Sequence, residues 1–261
     1  MEYQNIIFSV KNKIATIKLN RPKEMNSLNL EIIKEMKNAI DKCKNNKTIR
    51  VVVITGSEKA FSAGDDIKIM NIAKEKSKDQ ISSIIEEEGY PSLIKKIMAL
   101  EKPVIASVNG VCYGAAGELA LACDYVIAAK KATFGQLYIN LGLIGNTYLL
   151  PRYIGIKKAI ELIWSGRIIL SEEALKLGIV DKVVADDLLQ DEVQKKAKKL
   201  SNGPTIAYGL AKKAVYESMS LNIEDGFKLM TNYQGILMKT KDHKEGVAAF
   251  LEKRKPIYKS E

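Results

Sequence analysis

Histidine is almost absent from this chain of 261 residues; His243 is the only one, set in Lys241-Asp242-His243-Lys244-Glu245. A Ser-His-Asp triad is therefore not expected, and the residue reads as one more solvated group among charges. Cysteine is scarce too. Cys43, Cys112 and Cys123 are odd in number and lack CxxC spacing, which argues against a zinc ribbon or a disulfide framework and suits free thiols in a reducing compartment. No His, Cys, Asp and Glu cluster has metal-ligand spacing, so no metal is expected. Glycine and proline, 17 and 6 residues, are too few for collagen-like or disordered composition. Long apolar runs are missing. Val51 to Ile54 and Leu119 to Cys123 fall far short of the roughly 20 residues that cross a bilayer. The first residues lack the basic-then-apolar layout of a secretory signal, so a cytoplasmic protein with no membrane association is expected.

What the chain has in excess is positive charge, 41 Lys and Arg against 31 Asp and Glu, a net +10. Three partners fit such a balance: nucleic acid, an anionic membrane surface and a small polyanion. Lysine runs such as Lys195-Lys196-Ala197-Lys198-Lys199 motivate the first. The basic residues are interleaved with acids and show no aromatic stacking pattern, which argues against it, and no nucleic acid partner is expected.

Alternation over Ile6 to Val10 and Ile14 to Leu19 predicts a hairpin, and apolar residues at Leu30, Ile33, Met36 and Ile40 predict a helix up to about Cys43. Ile49 to Thr55, Pro103 to Val108 and Asp124 to Ala129 are continuous apolar runs, the pattern of strands covered on both faces of a parallel sheet. Between the first two lies a charged, mostly helical region from Asp66 to Leu100, broken at Gly89-Tyr90-Pro91. A short helix is predicted to start near Gly114. Beyond Leu150 only Gly178 to Val184 reads as a strand; Leu188 to Leu200, Thr205 to Met219, Ile223 to Met238 and Asp242 to Leu251 read as helices. Strands alternating with helices imply an α/β fold with βαβ crossovers.

Two segments at strand ends carry unusual chemistry. Ala60-Phe61-Ser62-Ala63-Gly64-Asp65-Asp66-Ile67-Lys68 places small residues ahead of a helix, where exposed N–H groups can hold an oxyanion or a phosphate. Asn109 to Glu118 repeats the layout of strand, small-residue turn and helix. Neither has the spacing of a dinucleotide fingerprint or a P-loop. Glu118 stands in an otherwise apolar stretch, Ala115 to Ala122, and two readings remain open from the residues alone. Its carboxylate complements the positive end of the helix, or it is a desolvated general acid or base with a raised pKa. Asp124 reads as a turn residue and Trp164 as a core or interface residue.

The segments AFSAGDDIK (60–68) and NGVCYGAAGELALACD (109–124) resemble the crotonase superfamily, the enoyl-CoA hydratase/isomerase proteins. LNRPKEMNSLN (19–29), EKPVIASVNG (101–110), ATFGQ (132–136), SEEALKLGIVDKVV (171–184) and KEGVAAFLEKRKPIY (244–258) extend the resemblance along nearly the whole chain. It implies a crotonase-like spiral of ββα repeats over residues 1–200 carrying an acyl-CoA site. Residues 201–261 would then be a helical region for trimerisation and CoA-site cover, in a homotrimer or dimer of trimers. It also implies an acyl-CoA thioester as substrate and no separate cofactor, CoA being part of the substrate.

Carried over by position, the oxyanion hole falls on the backbone N–H groups of Asp65 and Ala115, where side-chain identity is expected to matter little. Met25, Ser27, Ala63, Asp66 and Gly114 would line the CoA path, and Lys68 is either a phosphate contact or a solvated helix charge. Glu118 matches the first of two catalytic glutamates. The second should follow Gly135-Gln136 as Pro-Glu, but Tyr138 takes its place, and a phenol is a poor proton carrier near neutral pH. The loop from Leu143 to Arg152 is also about three residues shorter than the usual family loop. Single-carboxylate chemistry fits these departures, so an enoyl-CoA hydratase or a double-bond isomerase is expected. The alternatives are a decarboxylase of the methylmalonyl-CoA type and, ranked lower, an RNA-binding or non-catalytic relative. The acyl group would be set by Ala73 to Leu93 and the shortened loop.

Overall fold

The structure is a computed structural model describing residues 2–57, 59–70 and 76–261. Strands β1 (Ile6–Lys11) and β2 (Ile14–Leu19) form an antiparallel hairpin. Its two-residue turn holds Asn12 and Lys13 at φ 52° and 67°, the backbone twist that a tight hairpin requires. Helix α1 (Leu30–Asn45) follows, with the Asn29 side chain accepting from the Ile32 N–H as its cap.

From there the chain alternates between two sheets. Strands β3 (Val51–Thr55), β5 (Val104–Val108) and β7 (Tyr125–Ala129) join the large sheet, while β4 (Ala60–Ser62), β6 (Val111–Tyr113) and β8 (Thr133–Gly135) each follow one of them into a smaller sheet. Helices α2 (Ile67–Met70), α3 (Lys78–Glu87) and α4 (Tyr90–Met98) fill the first crossover, and α5 (Ala115–Leu121) the second. Helices α6 (Leu150–Ile154) and α7 (Ile156–Ser165) lead to β9 (Ile168–Leu170), and α8 (Ser171–Leu177) leads to β10 (Lys182–Val184). The large sheet runs β1-β2-β3-β5-β7-β10 and the small one β4-β6-β8-β9. Among the strands named here, only the β1–β2 and β8–β9 pairs are antiparallel.

The apolar run of β3 is explained by burial on both faces. Val52 and Ile54 belong to the main core with α1, α4 and α5, whereas Val51 and Val53 pack with Leu189, Val193 and Ala197 of α9 (Leu189–Ser201). The sequence pattern located the hairpin, α1, β3, β5, β7 and the late helices. It overstated the strand at Gly178 to Val184, because Gly178 at φ 84° terminates α8 and only three residues enter the sheet. In the region from Asp66 to Leu100, residues 71–75 lie outside the described residues. No described helix is long and apolar enough to cross a membrane.

Helices α10 (Thr205–Ser218), α11 (Ile223–Leu237) and α12 (Lys241–Leu251) complete the chain. Asp124 does more than shape a turn: it accepts from the Val104 N–H and pairs with Lys212 of α10 at 3.0 Å. Arg50, 6% exposed, donates to the Ser201 and Tyr258 carbonyls at 3.2 and 2.9 Å. Arg50→Met is expected to cost about 2 kcal/mol, the worth of charge-assisted hydrogen bonds whose acceptors stay buried, and to lower Tm by roughly 5 °C in a calorimetric scan. Trp164 is 74% exposed, so the core alternative for it is wrong. Phe227, Phe250, Leu251, Ile168 and Leu170 are likewise exposed. His243 is exposed, its N–H capped by Thr240.

Candidate active site

Strands β4 and β6 pair in parallel, Ala60 opposite Val111 and Ser62 opposite Cys112, so the turns that leave them lie side by side. The first turn is locked from several sides. Leu28 donates to the Gly64 carbonyl and accepts from the Asp66 N–H, bypassing the Asp65 N–H between them. The Gly64 N–H is taken by Ser62 Oγ at 3.1 Å. In the second turn, Ala115 is the first residue of α5, a position whose N–H has no acceptor within a helix. The two amides thus stand outside the fold's own ladders. A Cβ on Gly64 would lie 2.6 Å from the Tyr113 carbonyl oxygen and 3.4 Å from the Ala115 nitrogen, which measures how closely the turns abut.

The segment before α1 supports this arrangement. Asn26, fully buried at φ 57°, donates to the Ala60 carbonyl at 2.8 Å and accepts from the Arg21 N–H and Ser57 Oγ. Arg21 reaches the Ser27 carbonyl at 2.6 Å and pairs with Asp66 at 3.0 Å. Ser27 Oγ donates to the same carboxylate at 3.3 Å. Burial pushes the Asp66 carboxyl upward, but the Lys68 N–H and the Arg21 guanidinium outweigh it and hold its pKa below the usual range. The Met25 carbonyl accepts from the Ala63 N–H at 2.9 Å. Met25, Ser27, Ala63, Asp66 and Gly114 are therefore all brought to the two turns, while Lys68 is exposed beside them.

Glu118 lies one turn into α5, three residues after Ala115, and is 6% exposed. Burial raises its pKa; N–H groups of Leu149 and Asn146 and the Tyr90 phenol partly offset this. The Leu149 N–H reaches Oε1 at 3.4 Å. Glu118 opens onto a cavity of about 980 Å³ lined also by Tyr90, Ile94, Met98, Ile144 and Tyr148. Lys44, Lys95, Lys212 and Lys213 stand on its walls.

Tyr138 is buried in a 3-10 turn, and its hydroxyl donates to Asp65 Oδ2 at 2.8 Å. The Asp65 side chain, expected to matter little, is thus held by a hydrogen bond from Tyr138. Desolvation raises its carboxyl to about 6, the Tyr138 hydroxyl opposing. Two participants were missed from sequence. Tyr90 opens α4 behind Gly89 and ahead of Pro91, and its phenol interacts with both Tyr138 and Glu118. Asn146, in the loop that follows the 3-10 turn, at φ 54°, donates to the Gly114 carbonyl at 3.0 Å and to Gln136, tying that loop to the second turn. The Gly-Tyr-Pro break gave a weak sign of the former; nothing marked the latter. Among the described residues no group of three or more His, Cys, Asp or Glu is arranged to hold a metal ion.

The sequence model of the enoyl-CoA hydratase/isomerase family matches residues 9–261. Crotonyl-CoA hydratase of Syntrophomonas wolfei is 38% identical over 98% of each chain. The 1,2-epoxyphenylacetyl-CoA isomerase of Escherichia coli is 35% identical over 97% of each. The crystal structure of an enoyl-CoA hydratase from Bacillus anthracis superposes with a TM-score of 0.91 at 35% identity, covering 99% of this chain and 100% of that one. With the alternation of its strands between two sheets and the paired turns beside Glu118, the chain belongs to the enoyl-CoA hydratase/isomerase family, the crotonase superfamily.

Proposed function

We propose that this enzyme of the hydratase/isomerase type binds an acyl-CoA thioester with the carbonyl oxygen between the Asp65 and Ala115 N–H groups, and that Glu118 moves the proton. The observation that carries the reading is the juxtaposition of two amides unused by the fold with a buried, proton-avid carboxylate one helical turn away. Two such donors stabilise the enolate formed when charge moves onto the thioester oxygen, and each typically contributes a hundredfold to a thousandfold in rate. Met25, Ser27, Ala63, Asp66 and Gly114 line the CoA path, Lys68 meets a phosphate, and the apolar walls around Ile94, Met98 and Ile144 take the acyl chain. No separate cofactor takes part in this scheme.

With Tyr138 where a second glutamate would stand, proton transfer between two substrate carbons, or hydration of a 2-enoyl thioester, runs on Glu118. The protein works in the cytoplasm, where its three buried free cysteines stay reduced. Residues 1–200 form the catalytic core. The exposed apolar side chains of residues 201–261, with Trp164, Ile168 and Leu170, pack against copies of the chain in a trimer or a dimer of trimers.

The test is to incubate the enzyme with crotonyl-CoA, a 3-enoyl-CoA and methylmalonyl-CoA and to follow each by mass spectrometry and proton NMR. Gain of water or migration of the double bond is expected. Loss of carbon dioxide from methylmalonyl-CoA alone would move the assignment to a decarboxylase. No conversion and no thermal stabilisation by any CoA thioester would overturn the reading.

A further inference from the structure

The cavity onto which Glu118 opens has a measurable length, because one helix runs along it. Its inner end is marked by Glu118, by Asn146, which donates to the Gly114 carbonyl at 3.0 Å, and by Tyr90, whose ring stacks at 6.5 Å on the Tyr138 ring packed beside Gly114. From there α4 leads away. It turns Tyr90, Ile94 and Met98, every fourth residue, to the cavity, while Leu93 and Ile97 are fully buried in the core. At roughly 1.5 Å of rise per residue, this stripe spans about 12 Å. Beyond Met98 the lining changes character. Lys212 donates to the Ile97 carbonyl at 3.0 Å, Lys213 pairs with Glu101 at 3.6 Å, and Lys44 and Glu217 line the cavity with them. The outer end is a charged mouth.

We propose that the acyl group of the substrate is a long linear chain, laid along the Tyr90, Ile94, Met98 stripe with its end at the charged mouth. This rests on the reading that the Asp65 and Ala115 amides hold the thioester oxygen and that Glu118 moves the proton. Glu118 then faces the carbons next to the thioester, and every later carbon passes it into the cavity. A fully extended chain advances roughly 1.2 Å per bond, as three backbone bonds span about 3.6 Å, so the stripe takes about ten further carbons. That sets the chain at about ten to fourteen carbons, the lower figure for a bent chain. A four-carbon group would end at Glu118 and leave about 980 Å³ to water, a volume at the top of the roughly 300–1,000 Å³ that encloses a drug-sized ligand. Each methylene laid on Ile94 or Met98 is removed from water, which favours binding. One that reaches the mouth lies among hydrated charges and gains little. Contacts so far from the reacting carbons are the same in the ground and transition states, so they lower KM and leave kcat alone.

The test is steady-state kinetics on two series of thioesters, 2-enoyl-CoA and 3-enoyl-CoA, each with even chains from four to fourteen carbons. In whichever series the enzyme converts, kcat/KM is expected to rise roughly threefold per methylene, about a hundredfold between six carbons and ten, through a falling KM at near-constant kcat. The rise should level off by about fourteen carbons, where the chain meets the mouth. Met98→Trp fills the outer part of the stripe and is expected to lower the ratio of kcat/KM for ten carbons to that for four by about tenfold or more. Met98→Gln, similar in length but polar, is expected to lower the same ratio about fivefold; it decides the matter if Met98→Trp does not fold. An active enzyme that handles four carbons as well as ten, or a wild-type ratio in the folded Met98 variants, would overturn the long-chain assignment alone. Inactivity on every thioester would overturn it together with the reading beneath it.

Discussion

Glu118→Gln is expected to lower turnover about a thousandfold or more while thioester binding stays within a few-fold of wild type. General acid–base catalysis by one positioned group is worth roughly 10²–10⁴, and Glu118 is the carboxylate of α5, one helical turn from the Ala115 amide. Glutamine has the same length, keeps an oxygen for the Leu149 N–H that Oε1 now accepts, and leaves both turn amides in place. Binding and chemistry should therefore separate, with kcat followed by product formation and affinity by calorimetry. A variant that keeps more than about a tenth of wild-type kcat would remove Glu118 from the mechanism.

The same substitution has a stability signature. Because burial raises the folded-state pKa of Glu118, the native chain binds more protons than the unfolded chain between the unfolded value, about 4.3, and the folded one. Stability contributed by this group is complete below the unfolded value and is lost as pH rises through the folded value. Glutamine carries no such penalty. Glu118→Gln is thus expected to melt above wild type at pH 8, with the difference shrinking toward pH 4. A constant offset would mean that Glu118 is not desolvated in the native state.

How much of this was legible in the sequence depends on which physical signal wrote it. β3, β5 and β7 are covered on both faces and spell continuous apolar runs; α1 and the late helices are amphipathic. The hairpin alternates. The small sheet was not legible, because β4, β6, β8 and β9 are three residues each, too short to show a period. The two turns were found by their small residues ahead of helices and by the family resemblance, which together indicate where amides are free. They indicate nothing about a side chain that the turn merely carries. Asp65 and Tyr138 are 73 residues apart, and their meeting is set by the sheet register of β4, β6 and β8 and by the loop that lays Gly145 on the tyrosine ring. Tyr90 reaches the same point from a helix whose start is fixed by Gly89 and Pro91. No local pattern encodes a contact that two successive crossovers create. Trp164 illustrates the opposite error: apolar neighbours at Ile160 and Ile163 suit a buried helix face or an outward one, and only the structure shows it outward.

Gly64→Ala is expected to produce the second large loss, roughly a hundredfold to a thousandfold in kcat/KM, together with about 2–4 kcal/mol of destabilisation. Gly64 sits at φ 97°, a conformation in which an alanine is strained by on the order of 1–3 kcal/mol, and its new methyl carbon would lie 2.6 Å from the Tyr113 carbonyl oxygen. That oxygen belongs to β6, fixed by pairing on both sides to β4 and β8, so the 64–65 turn is the part that yields. Rotating it swings the Asp65 N–H away from the Ala115 N–H and pulls the Asp65 carboxylate from Tyr138. On the proposed mechanism both donors must point at one oxygen, and loss of one donor alone costs 10²–10³ in rate. Ser62→Ala is the graded control, since it removes only the hydroxyl that accepts from the Gly64 N–H at 3.1 Å and should cost about tenfold or less. Steady-state kinetics and thermal melts of the two variants separate lost stability from lost alignment. A Gly64→Ala enzyme that melts several degrees lower yet keeps wild-type kcat/KM would show that the paired amides do not hold the reacting oxygen.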